Sequence, residues 1–377
     1  MLTQIVSPEL PKMRNPRRER RLWQNDSQPM HSLGCTTCPE RAICGGLHIK
    51  EPLFDCLDFC CGKPATCDVV CRSHPDYAGH VREVATFRLD TIPRLEPLGA
   101  PTLVHAVPMI FHGSRRIHPI ETSMVALPLA RMFNRRDGSP RYASRESLCA
   151  AYGIAPSSGI VLSGTDHDAS LERWWGFGEQ RRRELIRSFK RLGIVLTTTP
   201  NYSLFIDVPR WDDLHAMKRI ALVHHEFLSE GLQAGLHVNG RTETDFRRWT
   251  EYVAARPEIS HLAYEFTTGT AWAGRQEQHA AWLCELATIV GRPLTLVLRG
   301  GTEVLPMLTR AFARVTVLET TSFMKTVKRK RALLNGHVEW QAAPTDKGAP
   351  IDELFVHNIN TMQTWIGQIA DSAAASR

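Results

Sequence analysis

The chain has 377 residues, of which 43% are hydrophobic and 23% are charged; this composition is typical of packed globular proteins and excludes a wholly disordered chain or a coiled coil. No apolar run approaches the roughly 20 residues that a membrane span needs, and the N-terminus lacks the apolar core of a secretory signal, so we expect a cytoplasmic protein. The formal net charge of +7 permits binding of polyanions but does not require it.

Residues 1–34 are predicted to form a flexible basic arm. Prolines at positions 8, 11 and 16 interrupt any helix. Six basic side chains crowd around Glu19: Lys12, Arg14, Arg17, Arg18, Arg20 and Arg21. Charge runs of this density are usually solvated segments and sometimes nucleic-acid-binding arms, and the sequence leaves both interpretations open.

Residues 35–80 form a cysteine-rich module for which we predict metal binding. A segment this short has too few apolar residues to fold without a metal or disulfide staple. Because thiols stay reduced in the cytosol, metal ligation is favoured over disulfides. Eight of the ten cysteines lie in the module and are the candidate metal ligands: Cys35, Cys38, Cys44, Cys56, Cys60, Cys61, Cys67 and Cys71.

The spacing of these cysteines leaves two alternatives for the cofactor, an iron–sulfur cluster or zinc. Only Cys35-x2-Cys38 forms the short knuckle typical of zinc sites, since the gaps that follow are longer. A first site would use Cys35, Cys38, Cys44 and one of Cys56, Cys60 or Cys61. A C-x3-C-x2-C radical-enzyme signature is nearly met by CDVVCRSH, but His74 stands at its third position and argues against radical chemistry.

The stretch CTTCPERAIC resembles the iron–sulfur segment of Cas4-type and AddB-type nucleases. In that segment three cysteines at this spacing share a [4Fe–4S] cluster with one distant cysteine, so the resemblance implies a cluster of this kind. The acidic motif of those nucleases is not recognisable in this sequence, and the nuclease activity therefore does not carry over.

From about residue 100, short β-rich apolar runs alternate with longer segments of helical periodicity. The predicted strands cover residues 102–110, 124–130, 159–165, 193–199, 234–240, 261–266, 293–300 and 315–320. Thr242 with Asp245 marks one helix start as a capping-box pair. Strand–helix alternation requires parallel strands joined by crossovers, and about eight strands predict an α/β fold with a TIM-like barrel over residues 100–340. An open doubly wound sheet is the alternative, and residues 341–377 are predicted to form a C-terminal helical tail.

Polar side chains follow several of these strands, at the edge where parallel α/β folds place their chemistry. Asp207, His237, Glu265, Arg299 and Glu319 are the candidate catalytic residues, and Asn239 and Lys325 are candidate substrate-binding residues. Glu265 or His237 would be the acid or base, and Arg299 with Lys325 would hold an anionic group. Each residue also has a structural interpretation, such as a buried ion pair between Glu265 and Arg299.

Three further features of the sequence bear on whether the protein binds nucleic acid. Basic residues cluster over 181–191 and 325–331, on two predicted helices that could follow a phosphate backbone or merely be solvated. Trp174 and Trp175 could form a stacking platform, although such residues are more often in a core. PNYSLFIDVPR resembles a phage- and plasmid-associated domain without assigned activity, which implies a setting related to mobile elements.

The sequence therefore favours a metal-cluster protein whose barrel holds a phosphate-bearing substrate, with DNA or RNA as the favoured class and no membrane association. One alternative is a non-enzymatic, metal-dependent nucleic-acid-binding protein that uses the arm and the module. A second alternative is a small-molecule barrel enzyme. No reaction class follows from the residues, because P-loop, dinucleotide-binding and serine-hydrolase motifs are missing from the sequence.

Overall fold

The computed structural model describes residues 80, 82–204, 210–267, 273–346 and 348–375. The basic arm, the eight clustered cysteines and Asp207 lie outside the described residues.

Eight parallel strands form a single sheet. They are β1 (Ala106–Pro108), β2 (Met124–Pro128), β3 (Gly159–Ser163), β4 (Ile194–Thr198), β5 (Ala234–His237), β6 (His261–Glu265), β7 (Thr295–Arg299) and β8 (Arg314–Glu319). Seven of the predicted strand segments contain one of them each, and the eighth, 315–320, overlaps β8, which begins one residue earlier. The runs are rich in Val, Ile and Leu because strands of a parallel sheet are covered on both faces.

The strand order β1-β8-β7-β6-β5-β4-β3-β2 brings the two edge strands together. A parallel bridge links Met109 to Ala126, and the amide of Ile110 donates to the carbonyl of Ala126 at 2.9 Å. The sheet is thus nearly closed, and the predicted TIM-like barrel is confirmed rather than the open sheet.

Helices surround the barrel. They are α1 (Arg145–Tyr152), α2 (Asp168–Gly176), α3 (Gly178–Arg191), α4 (Arg210–Ser229), α5 (Glu243–Ala254), α6 (Ala273–Val290), α7 (Leu305–Ala311), α8 (Thr321–Val327) and α9 (Asp352–Ala374). The predicted capping box is present at the start of α5, where Thr242 accepts from the amide of Asp245. An antiparallel hairpin of β9 (Lys330–Leu334) and β10 (Val338–Ala342) precedes α9.

The core has two layers, as the strand alternation requires. Val107, Ala126, Val161, Leu196 and Val297 belong to a cluster of their own, whereas their strand neighbours pack into the larger cluster formed with the helices. Since successive side chains on a strand point to opposite faces, the smaller cluster fills the barrel interior. A ligand site must therefore lie at an end of the barrel and not along its axis.

Residues 82–98 run along the outside of the barrel and pack into the same core through Val84 and Phe87. Lys218 of α4 fixes this segment, since its Nζ donates to the carbonyl of Arg88 at 2.5 Å and to the hydroxyl of Thr91 at 2.7 Å. No helix within the described ranges is both long enough and apolar enough to cross a membrane.

Candidate functional site

Five polar side chains follow strands β3 to β7 at the carboxyl-terminal end of the barrel, and we call this group the barrel mouth. It consists of Thr165, Asn201, His237, Glu265 and Arg299. Three of them are sites predicted from strand ends, because the carboxyl ends of parallel strands meet at one edge.

His237 ends β5, and its imidazole is held in one orientation. Its Nδ1 lies 2.5 Å from the carbonyl oxygen of Thr199, and since a carbonyl can only accept, Nδ1 carries the proton. Nε2 lies 3.5 Å from the hydroxyl of Thr165. Burial lowers the pKa of His237 to about 4, and the nearby charge of Arg299 adds to that effect. His237 is therefore neutral near pH 7, with Nε2 available as an acceptor.

Arg299 ends β7 and reaches across the mouth to β3, where it donates to the carbonyl of Thr165 at 3.1 Å. Glu265 is its register partner on β6, but the predicted ion pair between the two does not form. Arg299 makes no ion pair with any carboxylate of the described residues, and its buried Nε has no hydrogen-bond partner among them. A half-buried guanidinium in this state is suited to receiving an anionic ligand.

Glu265 lies beside two polar neighbours. Asn201 donates to Glu265 Oε2 at 3.4 Å, and the hydroxyl of Thr267 donates to Oε1. The other polar atom of the amide, Asn201 Oδ1, is buried without a partner among the described residues. The mouth therefore contains two sets of contacts, one that joins Asn201 and Thr267 to Glu265 and one that joins Arg299 and His237 to Thr165.

Three glycines determine the backbone around the mouth. A Cβ on Gly164 would lie 2.2 Å from the carbonyl oxygen of Thr199, so β3 and the loop after β4 approach closely only because this residue has no side chain. Gly300 and Gly301 have φ values of +76° and +73°, a region that glycine adopts readily. They turn the chain directly after Arg299, and a Cβ on them would lie 2.7 Å from Thr267 Cγ2 and 2.5 Å from Phe266 Cδ2, respectively.

Glu319 and Asn239 have structural partners instead. Glu319 accepts hydrogen bonds from the amide of Ser322 at 3.0 Å, from the amide of Thr321 and from the Ser322 hydroxyl, so it satisfies the free amides at the start of α8. Burial raises the pKa of the Glu319 carboxyl. The side-chain amide of Asn239 donates to the backbone carbonyl of Tyr202 at 2.9 Å, and the backbone carbonyl of Asn239 accepts from the Trp249 indole.

Lys325 is directed to the hairpin. It lies on α8 with Nζ 5.5 Å from the ring centroid of Trp340 on β10, so it takes no part in the contacts among the mouth residues. The prediction that residues 325–331 form one basic helix is wrong, because α8 ends at Val327 and β9 begins at Lys330.

The arginines of α3 are mostly paired within the protein. Arg182 is buried in an ion pair with Glu226 at 2.6 Å, and Arg183 and Arg187 both bind Glu230. These pairs join α3 to α4, because Glu226 and Glu230 lie on or just after α4. Little of this basic run is left to contact a phosphate backbone.

The two adjacent tryptophans belong to the core. Trp174 is 1% exposed and stacks on Phe227 with ring centroids 5.9 Å apart, and Trp175 lies beneath the guanidinium of Arg182 at 4.3 Å. The hypothesis that these tryptophans form a stacking platform for bases is therefore wrong, and the interpretation that they lie in the core is correct.

Sequence reasoning missed two residues of the site region, Thr165 and Thr199. Their backbone carbonyls hold Arg299 and His237 in place. The only sequence signal was their position at the ends of GIVLSGT and GIVLTTT. No model of a known protein family matches this chain, and no curated protein shows significant similarity to it.

Proposed function

We propose that the protein binds a phosphate-bearing ligand at the barrel mouth, with a nucleic acid or nucleotide as the favoured class. The proposal includes an iron–sulfur cluster or zinc in the cysteine-rich module. Its alternatives are a nucleic-acid-binding protein that uses only the arm and the module, and a small-molecule barrel enzyme.

The observation that carries the proposal is that the positive charge of Arg299 has no carboxylate partner among the described residues. Its guanidinium is half-buried and contacts a neutral carbonyl, and no carboxylate of the described residues pairs with it. Desolvating a cation without a counter-charge is costly, and a bound anion would offset that cost. A phosphate fits the planar fork of an arginine particularly well.

The other groups at the mouth suit a ligand that exchanges protons. His237 is neutral and presents Nε2 toward Thr165, and Glu265 offers a carboxylate beside Asn201. An acceptor nitrogen and a carboxylate next to an anion site are the groups that general acid–base chemistry uses. Both remain our candidates for proton transfer.

The test is binding of three probes to the full chain: pyrophosphate, a nucleoside triphosphate, and a fluorescent single-stranded oligonucleotide at several salt concentrations. We expect Arg299→Met to weaken binding roughly 10- to 100-fold, because a hydrogen bond to a charged group contributes about 1.5–3 kcal/mol. The matched control is Arg191→Met, since Arg191 is exposed at the far end of α3, next to the start of β4. Equal binding by wild type and Arg299→Met would contradict the site.

A third variant separates the alternatives, with Arg17, Arg18, Arg20 and Arg21 all replaced by Gln. If it alone loses salt-dependent oligonucleotide binding, recognition lies in the arm. If none of the phosphate probes binds, the small-molecule alternative is favoured. For the module, brown protein with bound iron indicates an iron–sulfur cluster, and bound zinc that is lost when Cys35 and Cys38 are replaced by Ser indicates zinc. Protein without either metal contradicts metal binding there.

A further inference from the structure

We propose a separate metal site for one divalent transition-metal ion, of which Zn²⁺ is the test case, where His80 and Glu83 meet the first two turns of α4. Three of its ligands are His80, Asp212 and His215, and Glu83, which contacts His215, is the candidate for a fourth. None of them belongs to the barrel mouth, and none is a cysteine.

The ligands come as two pairs with the same spacing. Residues 80 and 82–84 are helical, so His80 and Glu83 share one face of a helical turn. Asp212 and His215 have the same three-residue separation at the start of α4. Because residues three apart on a helix are surface neighbours, each turn presents one imidazole and one carboxylate together.

The two turns face each other with the pairs crossed. His80 Nδ1 lies 3.7 Å from Asp212 Oδ1, and His215 Nε2 lies 2.8 Å from Glu83 Oε2. The two imidazole rings stack with centroids 4.1 Å apart. One potential ligand atom from each of His80, Asp212 and His215 lies within 4.8 Å of the other two.

These separations suit a single ion. Zinc binds imidazole nitrogen and carboxylate oxygen at about 2.1 Å, which places neighbouring ligands of a tetrahedral site roughly 3.4 Å apart. The two crossed contacts, at 2.8 and 3.7 Å, lie on either side of that value. The side chain of His80 is 30% exposed, and binding of the ion would turn its ring out of the stack.

The surroundings favour a bound cation. His215 is fixed by the edge-to-face contact of its ring with Trp175 at 6.5 Å. Two carboxylates supply the charge that a divalent ion requires, and imidazole with carboxylate is a common ligand set for such ions. Arg219, whose charge acts on His215, is paired with Glu172 at 2.6 Å. The half-exposed carboxylates, at 36% and 43%, leave a path for the ion from solvent.

The experiment uses the full chain, stripped with a chelator and dialysed against Zn²⁺ at a free concentration that just saturates the wild type. Elemental analysis then gives the zinc bound per chain. We expect Asp212→Asn, Glu83→Gln and His215→Asn each to bind one zinc fewer than the wild type. His225→Asn on the same helix is the matched control and should bind as the wild type does. Zinc held by cysteines cancels in the difference, because every variant keeps all ten thiols.

Circular dichroism separates lost binding from misfolding. His215 is buried and its variant risks unfolding, whereas Asp212 and Glu83 are half-exposed, so their variants decide the question. Folded Asp212→Asn and Glu83→Gln proteins that bind as much zinc as the wild type, with unchanged affinity, would overturn the site. In that case the four side chains would form one hydrogen-bonded pair, His215 with Glu83, beside a looser contact of His80 with Asp212.

Discussion

At the barrel mouth, the buried imidazole of His237 couples folding to pH. Its folded pKa of about 4 lies below the ordinary value of 6.5, so the unfolded chain binds a proton more readily. Stability is therefore fully present above about pH 6.5 and is lost as the pH falls toward 4. At pH 5 this single group should cost about 2 kcal/mol of unfolding free energy.

We predict that the pH dependence is smaller in His237→Gln. Urea unfolding at pH 7 and pH 5 should give a loss of stability that is about 2 kcal/mol smaller in the variant than in the wild type. Other buried histidines titrate equally in both proteins and cancel. His167→Gln changes an exposed position near the mouth, and between pH 7 and pH 5 this variant should lose as much stability as the wild type. An identical loss in all three proteins would contradict the orientation and burial of His237.

For Glu319 we predict a role in stability and none in ligand binding. Its carboxylate accepts from the amides of Thr321 and Ser322 at the start of α8. Glu319→Ala should lower the unfolding free energy by roughly 1–3 kcal/mol, because buried donors lose their acceptor. Affinity for pyrophosphate should stay at the wild-type value. A large loss of affinity in a folded Glu319→Ala protein would restore the catalytic role that its strand-end position suggested.

At the scale of elements, α3 and α4 are joined by a buried ion pair. Arg182 binds both oxygens of Glu226 at 2.6 and 2.8 Å and also donates to the carbonyl of Trp175. Both side chains are only 5% exposed. Burial raises the pKa of the Glu226 carboxyl, and Arg182 opposes that shift.

We predict that removing Arg182 alone lowers the unfolding free energy more than removing Arg182 and Glu226 together. Arg182→Met should cost about 3–5 kcal/mol, because Glu226 is left buried without its counter-charge. The double variant Arg182→Met with Glu226→Leu should recover a large part of that loss. Chemical unfolding of the two variants, with Arg191→Met as an exposed control on the same helix, provides the comparison. A double variant as unstable as Arg182→Met would show that the pair stabilises through more than charge compensation.

The helices and strands could be predicted from the sequence more completely than the side-chain pairs that join them. The run GIVLS at 159–163 forms β3 because β-branched and leucine side chains suit a strand covered on both faces. The Thr242 capping box forms because its bonds span only three residues. Arg187, in contrast, binds Glu230, 43 positions away. Periodicity contains no information about such pairings.

At the scale of the whole molecule, barrel closure determines which strand ends meet. The eight strands and their parallel order followed from the alternation of apolar runs and helices. The contacts between polar residues did not follow from that alternation, because Arg299 on β7 reaches Thr165 beyond β3 across the barrel. Glu319, on the strand next to β7, turns to α8 instead. Tertiary geometry decides between a site and a helix cap, and no local pattern encodes it.

We propose that an anion binds at the barrel mouth against Arg299 and near His237. The most direct measurement is NMR of histidine side chains in the labelled full chain during titration with pyrophosphate, with His237 assigned from the His237→Gln spectrum. We predict a saturable shift of the His237 signal that is lost in Arg299→Met and kept in Arg191→Met. Saturable binding that leaves His237 unshifted, or an unchanged shift in Arg299→Met, would contradict the account.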